Sequence, residues 1–170
     1  MKKIFLITLF FSFISQAQTP KEQITKVLDN WHLAAANAKF DDYISAMTDD
    51  AIYLGTDATE NWTKPQFMAF AKPYFDKGKA WSFLALERNI YVSKDQKTAW
   101  FDELLNTQMK ICRGSGVLIK VRKQWKIQHY VLSMTIPNDN SNDVIKTKTI
   151  IEDKLIEKLK TGSVFKTLPH

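Results

Sequence analysis

The chain has 170 residues, of which 25% are charged, and carries a formal charge of +6. Its basic excess is scattered, densest at Lys120, Arg122, Lys123 and Lys126, and no nucleic-acid-binding motif accompanies it, which argues against an RNA- or DNA-binding module. A single cysteine, Cys112, excludes an internal disulfide, so stability has to come from packing.

Residues 1–17 read as a signal peptide. Lys2 and Lys3 give a positive start, Ile4 to Ile14 form an apolar run, and Ser15-Gln16-Ala17 offers small residues for cleavage before Gln18. The run falls well short of the roughly 20 residues needed to span a bilayer, and no cysteine follows it to take a lipid. The expectation is an exported protein, periplasmic or extracellular, with no stable membrane insertion after cleavage. About 150 residues then remain, enough for one domain. Removing Lys2 and Lys3 lowers the formal charge from +6 to +4.

In the remaining chain Thr19-Pro20-Lys21-Glu22 is a helix start, with a hydroxyl N-cap, proline at the first position and glutamate at the third. Ile24, Val27, Leu28, Trp31, Ala34, Ala35 and Ala38 follow at helical spacing, with His32 beside that face. Asp41 is placed to cap a short second helix through Met47. Thr48-Asp49-Asp50 then reads as a turn and Ala51 to Leu54 as a brief strand. Gly55 and the polar residues through Asn61 end it. Thr63 and Pro65 open a third helix on which Phe67, Phe70, Ala71 and Tyr74 share a face, Pro73 sits near the end, and Gly78 closes it.

Beyond Gly78 the pattern changes to strands: Trp81 to Ser93, Thr98 to Leu105, Ile111 to Val121 and Trp125 to Thr135. Their links have hairpin lengths, which predicts an antiparallel meander. Helices followed by such a sheet make an α+β fold. Residues 137–142 break the pattern. A helix over Val144 to Lys160 follows, with a thin apolar stripe of Ile151, Leu155 and Leu159 suited to packing on the domain or on a second subunit. The organisation predicted is a signal peptide over 1–17, a domain over 18–138 and a C-terminal extension with an amphipathic helix over 139–170.

The order and spacing of several pieces carry a resemblance: Trp31-His32, Asp49-Asp50-Ala51, Gly55-Thr56-Asp57, Trp62, Trp100-Phe101-Asp102-Glu103, Arg113-Gly114-Ser115-Gly116-Val117, Trp125 to Tyr130 and Ile136-Pro137-Asn138. Together they resemble the SnoaL-like domains of the NTF2-like superfamily, which includes ketosteroid isomerases and scytalone dehydratase. The resemblance spans roughly Gln23 to Asn138. It implies a cone, with helices wrapped by a strongly bent antiparallel sheet and a cavity at the open end. It also implies homodimers paired through the outer face of the sheet. The fold hosts enzymes, binding proteins and adaptors alike.

Strand parity selects candidate cavity residues. Lys126 and Gln128 mark one face of the last strand as outward, so Trp125, Ile127, His129 and Val131 should face inward. A three-residue link at Arg122-Lys123-Gln124 and a five-residue link at Asn106 to Lys110 set the neighbouring registers. They place Leu105 opposite Ile111, and Glu103 opposite Arg113, both inward, with His129 nearby. Such a pair serves structure in most proteins, since losing one partner of a buried pair costs about 3–5 kcal/mol. As a ligand contact, Arg113 would take a carboxylate or oxyanion, with Glu103 tuning it. His129 is either a hydrogen-bonded cavity histidine or a proton-transfer group. The resemblance adds Trp31, Tyr53 and Trp62 as cavity wall, which implies an apolar or aromatic small molecule with one polar or anionic end.

Relative to the ketosteroid isomerases, the base position falls on Gly55 and the oxyanion tyrosine on Trp31. Glycine cannot act as a base, an indole N–H donates but is a poorer acid than a phenol, and Asp57 is the one nearby carboxylate of suitable parity. Val131 stands where a second cavity histidine would be. The three histidines, His32, His129 and His170, offer no metal-ligand cluster, and no cofactor is expected. Arg113 to Gly116 lacks the lysine and following helix of a phosphate-binding loop, so its glycines are read as permitting sheet curvature. Three readings follow: a small-ligand-binding domain; an isomerase or lyase with Asp57 or His129 as base and Arg113 as oxyanion partner; or a dimerising interaction module.

Overall fold

The computed structural model describes residues 18–161. The segment read as a signal peptide and His170 lie outside them. The chain divides into two compact units, one ending at Ser133 and the other beginning at Met134.

In the first unit α1 spans Pro20–Ala36, held at its start by the expected reciprocal contacts between Thr19 and Glu22. Its buried face comprises Ile24, Leu28, Trp31, His32, Ala34 and Ala35, so His32 belongs to that face rather than to its edge. Helix α2 (Phe40–Ser45) begins two residues earlier than expected. Asp41 is not its cap: Lys39 precedes it without a side-chain contact, and Asp41 and Asp42 lie in the first turn, where acids favour the helix dipole. Strand β1 (Met47–Leu54) absorbs the expected Thr48-Asp49-Asp50 turn. It is drawn into the sheet by parallel pairing with the last strand, with an irregularity between Met47 and Ile52. A short strand, β2 (Asn61–Thr63), pairs antiparallel with β1. Helix α3 (Lys64–Asp76) follows under a Thr63–Gln66 capping box, with Pro73 inside it. Gly78, at φ 72°, takes the left-handed position just past its end.

Strands β3 (Phe83–Val92), β4 (Thr98–Thr107), β5 (Lys110–Val121) and β6 (Gln124–Met134) complete one six-stranded sheet in the order β2-β1-β6-β5-β4-β3. The meander is as expected; its loops are shorter. Between β4 and β5 only Gln108 and Met109 lie between the paired Thr107 and Lys110. The Thr107 hydroxyl tightens this turn, accepting from Met109 N at 2.9 Å and donating to Lys110 O at 2.9 Å. Between β5 and β6 the turn is Arg122-Lys123, both at positive φ (46° and 70°).

The shorter first loop moves the register by one residue. Glu103 pairs with Gly114, Leu105 with Cys112, and Arg113 with Leu104. A one-residue slip exchanges the two faces of a strand. The buried positions of β5 are therefore Cys112, Gly114, Gly116 and Leu118, while Arg113 is exposed. In β6 the alternation breaks between Ile127 and Tyr130, with Gln128 and His129 both half-buried, so Tyr130 takes the inward place and His129 does not.

The core between helices and sheet is aromatic. Trp31 stacks on Tyr43 at 4.9 Å and meets Tyr130 edge-on at 4.8 Å, and Tyr53 stacks on Phe67 at 3.9 Å. Within the second unit, a short turn at Asn138–Asn140 leads into α4 (Ser141–Thr161), none of whose side chains is buried. Among the described residues no helix is long and apolar enough to cross a membrane.

Candidate functional site

Two features occupy the first unit's interior: a buried polar cluster and an aromatic cleft. The cluster centres on Glu103, 1% exposed. Its Oε1 lies 2.9 Å from His32 Nε2 and accepts from the Tyr130 hydroxyl at 3.4 Å. Its Oε2 accepts from Arg88 Nε at 2.8 Å. Arg88 Nη1 in turn donates to Asp29 Oδ1 at 2.6 Å. Burial pulls the Glu103 carboxyl upward, but the His32 hydrogen bond and the charges of His32 and Arg88 outweigh it and hold the group below the ordinary glutamate range. A carboxylate only accepts, so the shared His32 proton sits on Nε2. Burial, then the Glu103 charge, pushes the Tyr130 phenol well above its usual range, so it stays a donor.

Gly114 of β5 makes room for this cluster, and Gly116 for the neighbouring backbone and ring. A methyl group on Gly114 would stand 2.4 Å from the Tyr130 hydroxyl and 3.0 Å from Glu103, and one on Gly116 would stand 2.4 Å from the His129 carbonyl and 2.8 Å from the Phe101 ring. Close approach of neighbouring groups therefore requires glycine at both positions.

The cleft, about 130 Å³, is lined mainly by Tyr53, Trp62, Phe67, Phe70, Trp81 and Phe83, with Thr56, Glu60 and Gln108 as its polar groups. Trp62 stacks on Phe70 at 4.4 Å. Helix α3 supplies Phe67 and Phe70, β1 supplies Tyr53 and β2 supplies Trp62. Two of these walls back onto the cluster: Phe83 touches His32 and Tyr53 touches Tyr130. Glu60 is the single formally charged residue of the lining. Burial, reinforced by the Glu60 charge, raises the Tyr53 phenol.

Of the residues singled out from sequence, Tyr53 and Trp62 meet in the cleft. Trp31 and Glu103 are buried behind it, Trp31 within the ring cluster and Glu103 within its polar contacts. The expected Glu103–Arg113 pair does not form, because the register slip carries Arg113 to the exposed face. Its place is taken by Arg88 from β3 and His32 from α1. His129 is turned out of the interior by the break in β6. Asp57 lies in an exposed turn, where its Oδ1 accepts from the Thr59 amide at 2.8 Å and the Thr59 hydroxyl at 2.6 Å. Those hydrogen bonds lower its pKa, the hydroxyl's first, and make it a poorer base.

The signal for Arg88 was a lone cation in a mostly apolar strand. Its inward placement depends on the irregularity between Ala85 and Glu87, which periodicity does not show. His32, which helical spacing sets beside the apolar face next to Trp31, is buried with that face in the structure.

A family model described as a SnoaL-like domain matches residues 24–137. No curated protein matches the chain. Among solved structures, the fold is similar to that of an NTF2-like protein of unknown function from Pseudomonas putida KT2440. The TM-score is 0.60 at 12% identity, covering 73% of this chain and 94% of that one. An NTF2-like protein from Cytophaga hutchinsonii gives a TM-score of 0.58 at 15% identity, over 69% of this chain and all (100%) of the other. A protein of Streptomyces avermitilis, provisionally titled a dehydratase of the NTF2-like family, gives 0.60 at 13% identity, over 70% and 100%.

Proposed function

We propose that this chain, which belongs to the SnoaL-like domain family, is an exported binding protein that holds a small flat apolar or aromatic group in its aromatic cleft. The observation that carries this reading is the cleft itself: two stacked ring pairs, Tyr53–Phe67 and Trp62–Phe70, bound a space of about 130 Å³. That is close to the roughly 150 Å³ apolar cavity that accepts one benzene ring. Sites for larger ligands run to about 300–1,000 Å³, so the cleft suits one ring or a short aliphatic group.

The charge at the cleft revises the ligand's polar end. With Glu60 and no lysine or arginine in the lining, a neutral or cationic head is favoured over the anionic one that an inward Arg113 would take. A cation over indole or phenol faces gains about 0.5–2 kcal/mol. Binding is favoured over isomerase or lyase chemistry because neither named base reaches the cleft. Asp57 is committed to its turn, His129 faces away and Arg113 is exposed. A dehydratase reaction of the kind named for the Streptomyces relative would have to run on Glu60 and Tyr53.

The homodimer belongs to the same proposal. Leu84, Tyr91, Trp100 and Ile111 are 46–63% exposed, and Tyr91 and Trp100 stack at 5.8 Å. These side chains lie on the face of the meander opposite the core, and a second copy would cover them.

Titration of the protein's tryptophan fluorescence with benzylamine and with benzoate tests the ligand reading. Benzylamine is expected to bind about tenfold more tightly, the ratio that 1.4 kcal/mol produces, and Trp62→Ala is expected to weaken it by a similar factor. Equal affinities, or binding indifferent to Trp62, would sink the reading.

A further inference from the structure

We infer that the protein carries a second binding site, outside the cone, for a small amphipathic organic anion. The site is a groove of about 920 Å³ bounded by α1, α2 and the β5–β6 turn, within the size range of small-molecule sites. Its floor is apolar, built from buried Trp31, Ala34 and Trp125. Its rim carries Lys26, Lys39, Lys123 and Lys126 against a single acid, Asp42.

Two features point to an anion. The first is that the rim's charge is unspent. The side-chain ammonium groups of Lys26, Lys39 and Lys123 make no ion pair or hydrogen bond among the described residues. Lys126 donates to a neutral acceptor, the Ser45 carbonyl, at 2.5 Å. A fifth lysine, Lys120, lies over the Trp125 ring at 5.2 Å and adds to the same positive field. The second is the state of the floor. The indole N–H groups of Trp31 and Trp125 are buried and have no acceptor among the described residues. An indole nitrogen can only donate, and a buried donor left without a partner is costly. An anionic oxygen with an apolar body answers both features: the head meets the lysines and the donors, and the body covers the floor.

The charge also separates this site from the cleft, where Glu60 is the charged residue and no lysine is present. The basic hairpin tip, a solvated surface in most proteins, here contributes Lys123 to one wall of the groove.

The probe is 2-naphthalenesulfonate, titrated calorimetrically into the purified protein, with uncharged 2-naphthol as the matched control. One saturable site is expected for the sulfonate, with 2-naphthol about tenfold weaker or more, a gap of 1.4 kcal/mol. Raising ionic strength should weaken the sulfonate, since surface charge is screened within about 10 Å at 0.1 M salt. Lys39 and Lys123 are exposed, so Lys39→Glu and Lys123→Glu should keep the far-ultraviolet circular dichroism of the parent. Each should weaken binding several-fold, while Lys39→Arg restores it and Trp62→Ala leaves it unchanged. Equal binding of the neutral analogue, indifference to both charge reversals, or loss of binding in Trp62→Ala would each overturn the proposal. The last result would place the probe in the cone and leave the cleft reading standing.

Discussion

Glu103 sits among three donors from three different elements, and Gly114 leaves the space in which the Tyr130 hydroxyl meets it. A methyl at Gly114 would collide with the Tyr130 hydroxyl at 2.4 Å and press on Glu103 at 3.0 Å. Gly114→Ala is therefore expected to destabilise the protein by about 1–3 kcal/mol, the range for overpacking a filled core, measured by urea denaturation. Glu103→Gln removes the charge that pairs with Arg88 and should cost more, about 3–5 kcal/mol. The pH dependence follows from the lowered Glu103 pKa. The folded state binds a proton there less readily than the unfolded chain, so the stabilisation is present above the unfolded value, about 4.3. It fades as pH falls through that value toward the lower folded one. Urea titrations at pH 7 and pH 3 should show the parent losing more stability on acidification than Glu103→Gln. An equal loss in both would mean that Glu103 carries no linked proton.

At the scale of the element, the β5–β6 turn stands out. Arg122 and Lys123 both adopt positive φ, at 46° and 70°, the geometry of a two-residue turn that favours Asn-Gly. Side chains with a Cβ are held there by the pairing of the flanking strands. The double substitution Arg122→Asn, Lys123→Gly should stabilise the protein by about 1 kcal/mol by relieving the left-handed geometry, read as a higher urea midpoint at unchanged slope. An unchanged or lower midpoint would show that the turn is unstrained. The β4–β5 turn teaches a related lesson. Its length differs from expectation because one hydroxyl, that of Thr107, caps it from inside. The consequence is felt along the whole of β5, where every side chain changes face.

At the scale of the whole molecule, the interior of the first unit is packed with rings around a cleft of about 130 Å³, and large apolar side chains are left exposed on the meander. Leu84 and Ile111 are paired with the same residue of β4, Asn106, and Tyr91 and Trp100 are paired with each other, so the exposed side chains share one face of the meander in two groups. Sedimentation velocity should find the parent as a dimer. Trp100→Glu, placed where the side chain is 49% exposed and bears on no core contact, should give a monomer of unchanged fold. A monomeric parent, or a variant that stays dimeric, would remove this face as the interface.

The sequence by itself determined the α+β class, the family, the capping of α1 and α3, and most strand positions. These depend on local signals: hydroxyl and proline at helix starts, the period of apolar residues, and polar breaks of hairpin length. Glu103 does face inward, as the sequence reading expects, but not opposite Arg113, the pairing through which that reading places it. Only the tertiary structure decided which residues face Glu103. That choice rests on the parity of a two-residue turn, on the break before Tyr130 and on the irregularity near Leu86. Each shifts a register by one place without leaving a mark in the hydrophobic pattern. Arg113 and His129 moved out, and Arg88 and His32 moved in, because a sheet passes a one-residue change in a loop to every side chain beyond it.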